Sequence, residues 1–215
     1  MPTIYGANAS PFVRKVRVVH AEKGVPYELV PVFPGPGAPP EFQAMSPLSK
    51  IPAYRDGDRT LADSSVICAY VERMHPTPAL YPSDAYDYAR ALWFEEYADG
   101  GMTPIVGGKL FFQLIVGPRF MGRQTDQKLV DEAKHTDLPR LFTYLDGEVK
   151  GREFLVGNAL SIGDIGVATQ FVNLGHLGIA PDATQFPHLA DYVRRMLARP
   201  SFAALVEEET PQFAA

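Results

Sequence analysis

Up to about residue 75, the apolar positions switch between the short runs of strands and the spacing of helices. Thr3–Tyr5 and Tyr27–Val32 are rich in pleated-surface residues and are predicted strands. The segment between them, Pro11–Lys23, is a predicted helix that ends before Gly24, a favoured residue after a helix. Its apolar residues share one face: Phe12, Val13, Val16 and Val19.

A second pattern follows a proline- and glycine-rich loop. Asp56-Gly57-Asp58 is a turn signal that predicts a hairpin of Ala53–Arg55 and Thr60–Ala62. Ser64–Met74 then has helical spacing. The order β-α-β, loop, β-β-α predicts an α+β domain with a mixed four-stranded sheet and helices on its faces.

The chain changes character after residue 78. Three prolines in the segment 76–82 exclude a helix or a central strand, so this segment is a predicted linker. Helical spacing then recurs over Tyr86–Tyr97, Leu129–Val149 and Leu189–Leu197. Pro139 should kink or interrupt the middle one, and the glycine-rich stretch 100–117 should be bent, broken or mobile. The division is therefore residues 1–78, then an all-α domain over 86–215.

Composition narrows the function classes. The chain has 20 Lys and Arg against 25 Asp and Glu, a net charge of −5, and no basic stripe, so a nucleic-acid partner is not expected. The one cysteine, Cys68, excludes an internal disulfide and a Cys-based structural zinc site, and we expect it to be buried. No metal site is predicted. No apolar run is long enough to span a bilayer and no signal segment is seen at the start, so we expect a cytoplasmic protein without a membrane partner.

Ser10-Pro11, directly after the first strand, is the most informative chemical feature. Serine is a preferred N-cap and proline suits the first helical position, so a helix begins here. Its unpaired N–H groups and positive dipole end make a site for an anion or a thiolate, to which the Ser10 hydroxyl could donate a hydrogen bond. Ser10 could equally serve only as the cap.

A second helix start is a folding signal. Ser161 and Asp164 have the spacing of an N-cap and its reciprocal partner, with Leu160 and Ile165 as a hydrophobic staple. Such a cap contributes about 1 kcal/mol to stability, and we assign it no chemistry.

Taken in order, four motifs resemble the cytosolic glutathione transferase family, of the serine type and bacterial-like. The resemblance covers nearly the whole chain and implies a thioredoxin-like N-terminal domain followed by an all-α C-terminal domain. The motifs are Ser10-Pro11-Phe12-Val13-Arg14-Lys15-Val16, Ser49-Lys50-Ile51-Pro52, Leu61-Ala62-Asp63-Ser64-Ser65-Val66-Ile67 and Leu160-Ser161-Ile162-Gly163-Asp164-Ile165.

The resemblance implies a glutathione site. Ile51-Pro52 falls where the family has a cis proline preceded by backbone that meets the cysteinyl part of glutathione, so a cis bond is expected. Asp63-Ser64 would hold the γ-glutamyl ammonium and carboxylate, although both residues also cap helices well. Lys50 could contact the glycyl carboxylate or be a solvated surface residue.

For the thiol, the resemblance points first to Ser10, then to Asn8, then to Tyr5. Lowering a thiol pKa of about 8.5 by two units takes about 2.7 kcal/mol, which one hydroxyl hydrogen bond and a helix dipole can supply together. Asn8 offers an amide donor in the same loop. Tyr5 lies early relative to the helix start, and a strand aromatic is more often a core residue.

The resemblance further implies an electrophile pocket in which both domains take part, and a homodimer. Apolar candidates for the pocket are Phe12, Ile105, Phe112 and Phe120, each of which could instead be a core residue. The function implied is conjugation of glutathione, as co-substrate, to a hydrophobic electrophile for detoxification. The alternatives are peroxide reduction at the same site and a non-catalytic interaction protein that keeps this fold.

Overall fold

The computed structural model describes residues 1–35 and 37–213, so Pro36, Ala214 and Ala215 lie outside it. The described chain forms two units, residues 1–81 with the segment from 200 onward, and residues 82–199. The strands and α-helices in chain order are β1 Thr3–Tyr5, α1 Pro11–Glu22, β2 Glu28–Val30, α2 Pro40–Met45, β3 Ala53–Asp56, β4 Arg59–Ala62, α3 Ser64–Met74, α4 Ala85–Glu96, α5 Gly117–Met121, α6 Gln127–Glu132, α7 Leu138–Val149, α8 Ile162–His176, α9 Pro187–Leu197 and α10 Pro200–Glu209.

The first unit is built on a four-stranded sheet in the order β2-β1-β3-β4. β1 pairs in parallel with β2, and both of the other pairs are antiparallel. Ala53, at the start of β3, pairs with Tyr5 at the end of β1 and with Ala62 at the end of β4. The segments after β1, before β3 and after β4 therefore lie at one end of the sheet.

Helices cover both faces of this sheet, because successive residues of a strand point to opposite sides. On one face, the Tyr54 ring of β3 lies 5.6 Å from the ring of His20 on α1. On the other, Ala53 belongs to a buried cluster with Phe42 and Met45 of α2. The predicted mixed four-stranded sheet with helices on its faces is thus confirmed, and Cys68 of α3 is buried as expected.

The second unit is all-helical, as predicted, and α8 lies at its centre. Residues 162–174 of α8 are all buried. Gly163 lets α4 approach closely, since a Cβ at this position would stand 2.8 Å from the Cβ of Phe94. The predicted capping box at Ser161 and Asp164 is confirmed, and Asp164 also accepts a hydrogen bond from the Tyr192 hydroxyl at 2.9 Å.

Three helical segments of this unit are widened into π turns, namely Tyr97–Met102, Pro104–Val116 and Ala133–Asp137. The first two overlap the glycine-rich stretch, for which the sequence predicted a bent, broken or mobile segment. Helical residues continue through it to Met121, so the helix is not broken there. The third directly precedes α7, whose first turn contains Pro139. A proline cannot donate the helical hydrogen bond. The backbone hydrogen bonds therefore change from the α to the π pattern just before Pro139, where the sequence predicted a kink or an interruption.

The structure differs from the sequence-based domain division at the C-terminus. The division placed residues 86–215 in one helical domain, whereas α10 packs on α1 and belongs to the first unit. The sequence also gave no sign of α2, whose six residues are too few for a clear helical period. Among the described helices, none has both the length and the apolar character needed to cross a membrane.

Candidate functional site

Three sequence-predicted segments meet at one end of the sheet. They are the loop Gly6–Ser10 after β1, Ile51-Pro52 before β3, and Asp63-Ser64 after β4. Gly6 lies directly against Ile51 and Val13. A Cβ on Gly6 would collide with the Val13 side chain and stand 3.3 Å from the Ile51 Cβ, so only glycine lets these segments approach so closely.

Ser10 is the N-cap of α1, with extended backbone angles of φ −73° and ψ 123°. Its Oγ accepts a hydrogen bond from the Val13 amide at 3.4 Å. This bond uses a lone pair of the oxygen, so the hydroxyl hydrogen can still be donated to a ligand. Ser10 can therefore cap α1 and donate a hydrogen bond to a ligand at the same time.

The two other thiol candidates differ in their surroundings. Asn8 is partly buried, and its Nδ2 donates to Oε1 of Glu208 on α10 at 2.8 Å. That bond uses one of the two amide hydrogens. Tyr5 packs against the buried cluster that includes Phe42 and Met45 of α2. The Arg55 guanidinium lies 5.6 Å from the centre of the Tyr5 ring. Tyr5 is thus partly buried against the core of the sheet, as a core residue on a strand would be.

The Ile51-Pro52 peptide bond is cis, which confirms the sequence prediction. Among the described residues, neither the amide nor the carbonyl of Ile51 takes part in a backbone hydrogen bond. The preceding residue is held by Ser46, whose Oγ accepts from the Lys50 amide at 3.2 Å and donates to the Lys50 carbonyl at 2.7 Å. The Lys50 residue itself is exposed. The turn is therefore fixed while Ile51 keeps backbone groups for a ligand.

Asp63 is the N-cap of α3, and its backbone has an unusual positive φ of 78°. Its Oδ1 accepts from the Ser65 amide at 2.9 Å and the Val66 amide at 3.3 Å. Both bonds end on one oxygen, so Oδ2 remains for a cationic group. Ser64 is only 3% exposed, in the first turn of α3. Strained backbone at a non-glycine residue is typical of ligand-binding turns.

Sequence reasoning missed a buried lysine beside this turn. Lys15 of α1 is fully buried, and its Nζ donates to the Ser65 Oγ at 3.0 Å. The sequence offered one signal, a lysine within the buried stretch of an apolar helix, which has to find a partner inside. The ammonium links α1, which begins at Ser10, to the first turn of α3.

The apolar candidates Phe12, Ile105, Phe112 and Phe120 have unequal exposure. Phe12 of α1 is partly buried, and Ile105 is 8% exposed within the helical unit. Phe112 is partly buried and lies under the Arg123 guanidinium, while Phe120 of α5 is 68% exposed. Phe120 is thus the most accessible of the four, and Ile105 the most firmly packed.

The sheet end offers the groups that a small peptide-like ligand requires. It has a hydroxyl at a helix N-terminus, backbone groups at Ile51, and a carboxylate next to the N-terminus of α3. These groups suit a thiolate or other anion, a peptide bond, and a paired ammonium and carboxylate, respectively. Among residues 1–35 and 37–213, no three His, Cys, Asp or Glu side chains are grouped so that they could hold a metal ion.

Comparison with known proteins gives consistent matches over most of the chain. Residues 4–79 match the model of the glutathione S-transferase N-terminal domain, and residues 106–200 match that of the C-terminal domain. A probable glutathione S-transferase of rice, GSTF2, is 28% identical over 200 residues, which are 92% of each chain. Glutathione S-transferase 4 of maize is 29% identical and covers 92% of this chain and 88% of its own. A solved glutathione S-transferase of Sinorhizobium meliloti has a TM-score of 0.86 at 25% identity, over 95% of this chain and 91% of its own.

Proposed function

The chain belongs to the glutathione S-transferase family and is a glutathione transferase, and we propose that Ser10 activates the thiol of bound glutathione for attack on a hydrophobic electrophile. Glutathione is the co-substrate of this family. We also propose that the protein is of the serine type and bacterial-like. Its similar proteins include a protein of Escherichia coli as well as plant transferases.

One observation carries the thiolate mechanism. The Ser10 hydroxyl stands at the N-terminus of the 12-residue α1, accepts its capping bond from Val13, and keeps its hydrogen for donation. A hydrogen bond to a charged acceptor and the positive helix end both favour the thiolate over the thiol. The gain comes from a larger thiolate population at neutral pH and from the position of the sulfur.

The remaining groups would bind the rest of the tripeptide. The backbone of Ile51 would form hydrogen bonds with the cysteinyl part of glutathione, the role that the family resemblance implies for the residue before the cis proline. Asp63 would receive the γ-glutamyl ammonium on Oδ2, and Ser64 the adjacent carboxylate, with the α3 dipole in support. Lys50 is exposed, and its ammonium would contact the glycyl carboxylate.

Phe12, Ile105, Phe112 and Phe120 are our candidates for contact with the electrophile. Apolar side chains of this kind suit a hydrophobic substrate. Phe112→Ala should raise the KM of an aryl halide electrophile and leave that of glutathione unchanged. An unchanged electrophile KM would remove Phe112 from the site.

A homodimer and a cytoplasmic location complete the proposal. On α3, the side chains of Val66 and Met74 are each 49% exposed. Exposed apolar surface on this helix suits contact with a second copy of the chain. Light scattering that finds only monomer at micromolar concentration would remove the dimer.

The test of the function is a calorimetric titration of reduced glutathione, followed by the thiolate absorbance of the bound ligand as a function of pH. One site per chain and a bound thiol pKa well below about 8.5 are expected. Ser10→Ala should raise that pKa by more than one unit, whereas Ser10→Thr, which keeps the hydroxyl and the cap, should raise it less. An unshifted thiol pKa in Ser10→Ala would exclude Ser10 as the activating group.

A further inference from the structure

The last helix of the chain reaches the loop that carries Ser10. Two adjacent glutamates of α10 bind the beginning of the same unit. Glu209 pairs with Arg14, both fully buried, and Glu208 binds Asn8 and Arg17. These contacts join residues that are 191 to 200 positions apart in the chain.

Glu208 is the point at which this network meets the loop. Its Oε1 accepts from Asn8 Nδ2 at 2.8 Å, and its Oε2 accepts from Arg17 Nη2 at 2.5 Å. Arg17 is itself fixed by a hydrogen bond of 2.7 Å from its Nε to the Tyr27 hydroxyl. Burial alone would lower the pKa of Arg17, but its bonds to Glu208 and Tyr27 raise it above the ordinary value, so the guanidinium stays charged.

Among the described residues, the backbone of the loop is tied to the sheet at its first residue. The Gly6 amide donates to the Val30 carbonyl, and the Gly6 carbonyl accepts from the Val32 amide at 3.4 Å. The Ser10 amide donates to the Ala7 carbonyl within the loop. The Ala9 carbonyl lies 3.5 Å from Arg14 Nη2, a long contact to the guanidinium that Glu209 holds. Asn8 is therefore the residue whose side chain ties the middle of the loop to another element.

We propose that Glu208 is a positioning residue, which holds Asn8 and thereby the loop Gly6–Ser10 in the geometry that lets the Ser10 hydroxyl reach the thiol. The inference rests on the proposed function of Ser10. Among the described residues, the side chain of Glu208 binds Asn8 and Arg17, and not Ser10, Ile51, Asp63 or Ser64. Arg17 balances its charge, so Glu208 acts through geometry, and a misplacement of about 1 Å at a reacting group can cost about a hundredfold in rate.

This arrangement belongs to the C-terminal segment of the chain. The match to the family's C-terminal domain ends at residue 200, and α10 runs from Pro200 to Glu209. Glu208 thus lies beyond the residues that the model of the C-terminal domain matches. Its hydrogen bond with Asn8 makes thiol activation depend on α10, although Ser10 lies near the start of the chain.

The experiment compares Glu208→Ala with Glu208→Gln and with Glu207→Ala as the matched control. Glu207 is the neighbour of Glu208 on the same helix and, like Glu208, is exposed. Glu208→Ala should lower kcat about tenfold near neutral pH and move the pKa of bound glutathione up by about one unit, with KM for glutathione changed less than twofold. Glu208→Gln keeps an oxygen acceptor for Asn8 and should recover most of the activity, and Glu207→Ala should match the wild type.

A double variant tests whether Glu208 acts through Asn8. Asn8→Ala combined with Glu208→Ala should have the thiol pKa of Asn8→Ala alone, and this comparison holds even where both variants lose some stability. A wild-type thiol pKa and kcat in Glu208→Ala, or additive shifts in the double variant, would overturn the positioning role while Ser10 retains its function. If the wild-type protein did not lower the thiol pKa at all, the proposed function would fail together with this inference.

Discussion

Arg14 and Glu209 lie 195 positions apart and form an ion pair in which both side chains are fully buried. Arg14 Nε donates to Oε1 of Glu209 at 2.9 Å, and its Nη2 donates to Oε2 at 2.5 Å. The two parallel bonds are the arrangement in which arginine binds a carboxylate best. They join the first helix of the chain to the last one.

Glu209→Ala should destabilise the protein by about 3–5 kcal/mol, because it leaves a buried arginine without this carboxylate. The free energy of unfolding in urea measures the effect. The control is Asp191→Ala, which breaks the pairs of Asp191 with Arg194 and with Arg195. These side chains are 51%, 71% and 31% exposed, respectively. Solvent screens these pairs, so the control should change the urea midpoint far less than Glu209→Ala. An equal loss of unfolding free energy in the two variants would show that the buried Arg14–Glu209 pair contributes no more to stability than exposed ion pairs do.

Asp63→Ala should both destabilise the protein and weaken glutathione binding. The loss of the N-cap costs about 1 kcal/mol, as it would at any similar helix start. Asp84→Ala is a close control, since Asp84 caps α4 through the Tyr86 amide at 2.9 Å and the Asp87 amide at 3.0 Å. Both variants should lose similar stability in thermal unfolding, and only Asp63→Ala should raise the glutathione Kd. An unchanged glutathione Kd in Asp63→Ala would show that Asp63 caps α3 and does not bind glutathione.

Gly6→Ala should separate the loop from Ile51 and impair both stability and binding. The added Cβ collides with Val13 in a tightly packed place, and overpacking of this kind costs about 1–3 kcal/mol. Gly147→Ala provides the contrast, because this helical glycine has open space around its Cβ position. It should stabilise α7 by up to about 1 kcal/mol. Unfolding curves of both variants, with a glutathione titration of Gly6→Ala, measure the difference.

The stability of the first unit should fall as the pH is lowered towards 4, because of His20. Burial lowers the pKa of His20 from 6.5 to about 4. The ring is fully buried, and its Nδ1 lies 3.1 Å from the Val25 carbonyl. The unfolded chain takes up this proton near pH 6.5 and the folded one only near pH 4. The contribution to stability is therefore complete above pH 6.5 and is lost as the pH falls through 4; it amounts to about 3 kcal/mol.

Urea denaturation between pH 7 and pH 4.5 tests the role of His20. The wild type should lose stability over this range, and His20→Gln should lose clearly less, since glutamine does not titrate. His135→Gln removes an exposed histidine of the helical unit and should keep the wild-type pH dependence. The same pH dependence in His20→Gln as in the wild type would contradict the assignment.

Helix caps, the hairpin turn and the cis proline could be predicted from the sequence. Ser10-Pro11 predicted the start of α1, Asp56-Gly57 the hairpin, and Ser161 with Asp164 the capping box, and all three are present. The cis Ile51-Pro52 bond was implied by the family resemblance and is also present. Each of these features depends on residues that are neighbours in the chain, so a sequence pattern can encode it.

The tertiary structure alone decided which distant groups meet. The sequence contains Lys15 and Ser65, or Asn8 and Glu208, without any sign that each pair forms a hydrogen bond. It also left α10 in the helical domain, because an amphipathic helix can bury its apolar face on any matching surface. Packing selects among those surfaces only when the whole unit assembles. The sequence by itself therefore determined the longer helices, the strands, the hairpin turn and the candidate residues, because each depends on a local pattern. Tertiary packing determined that α10 binds the loop of Ser10.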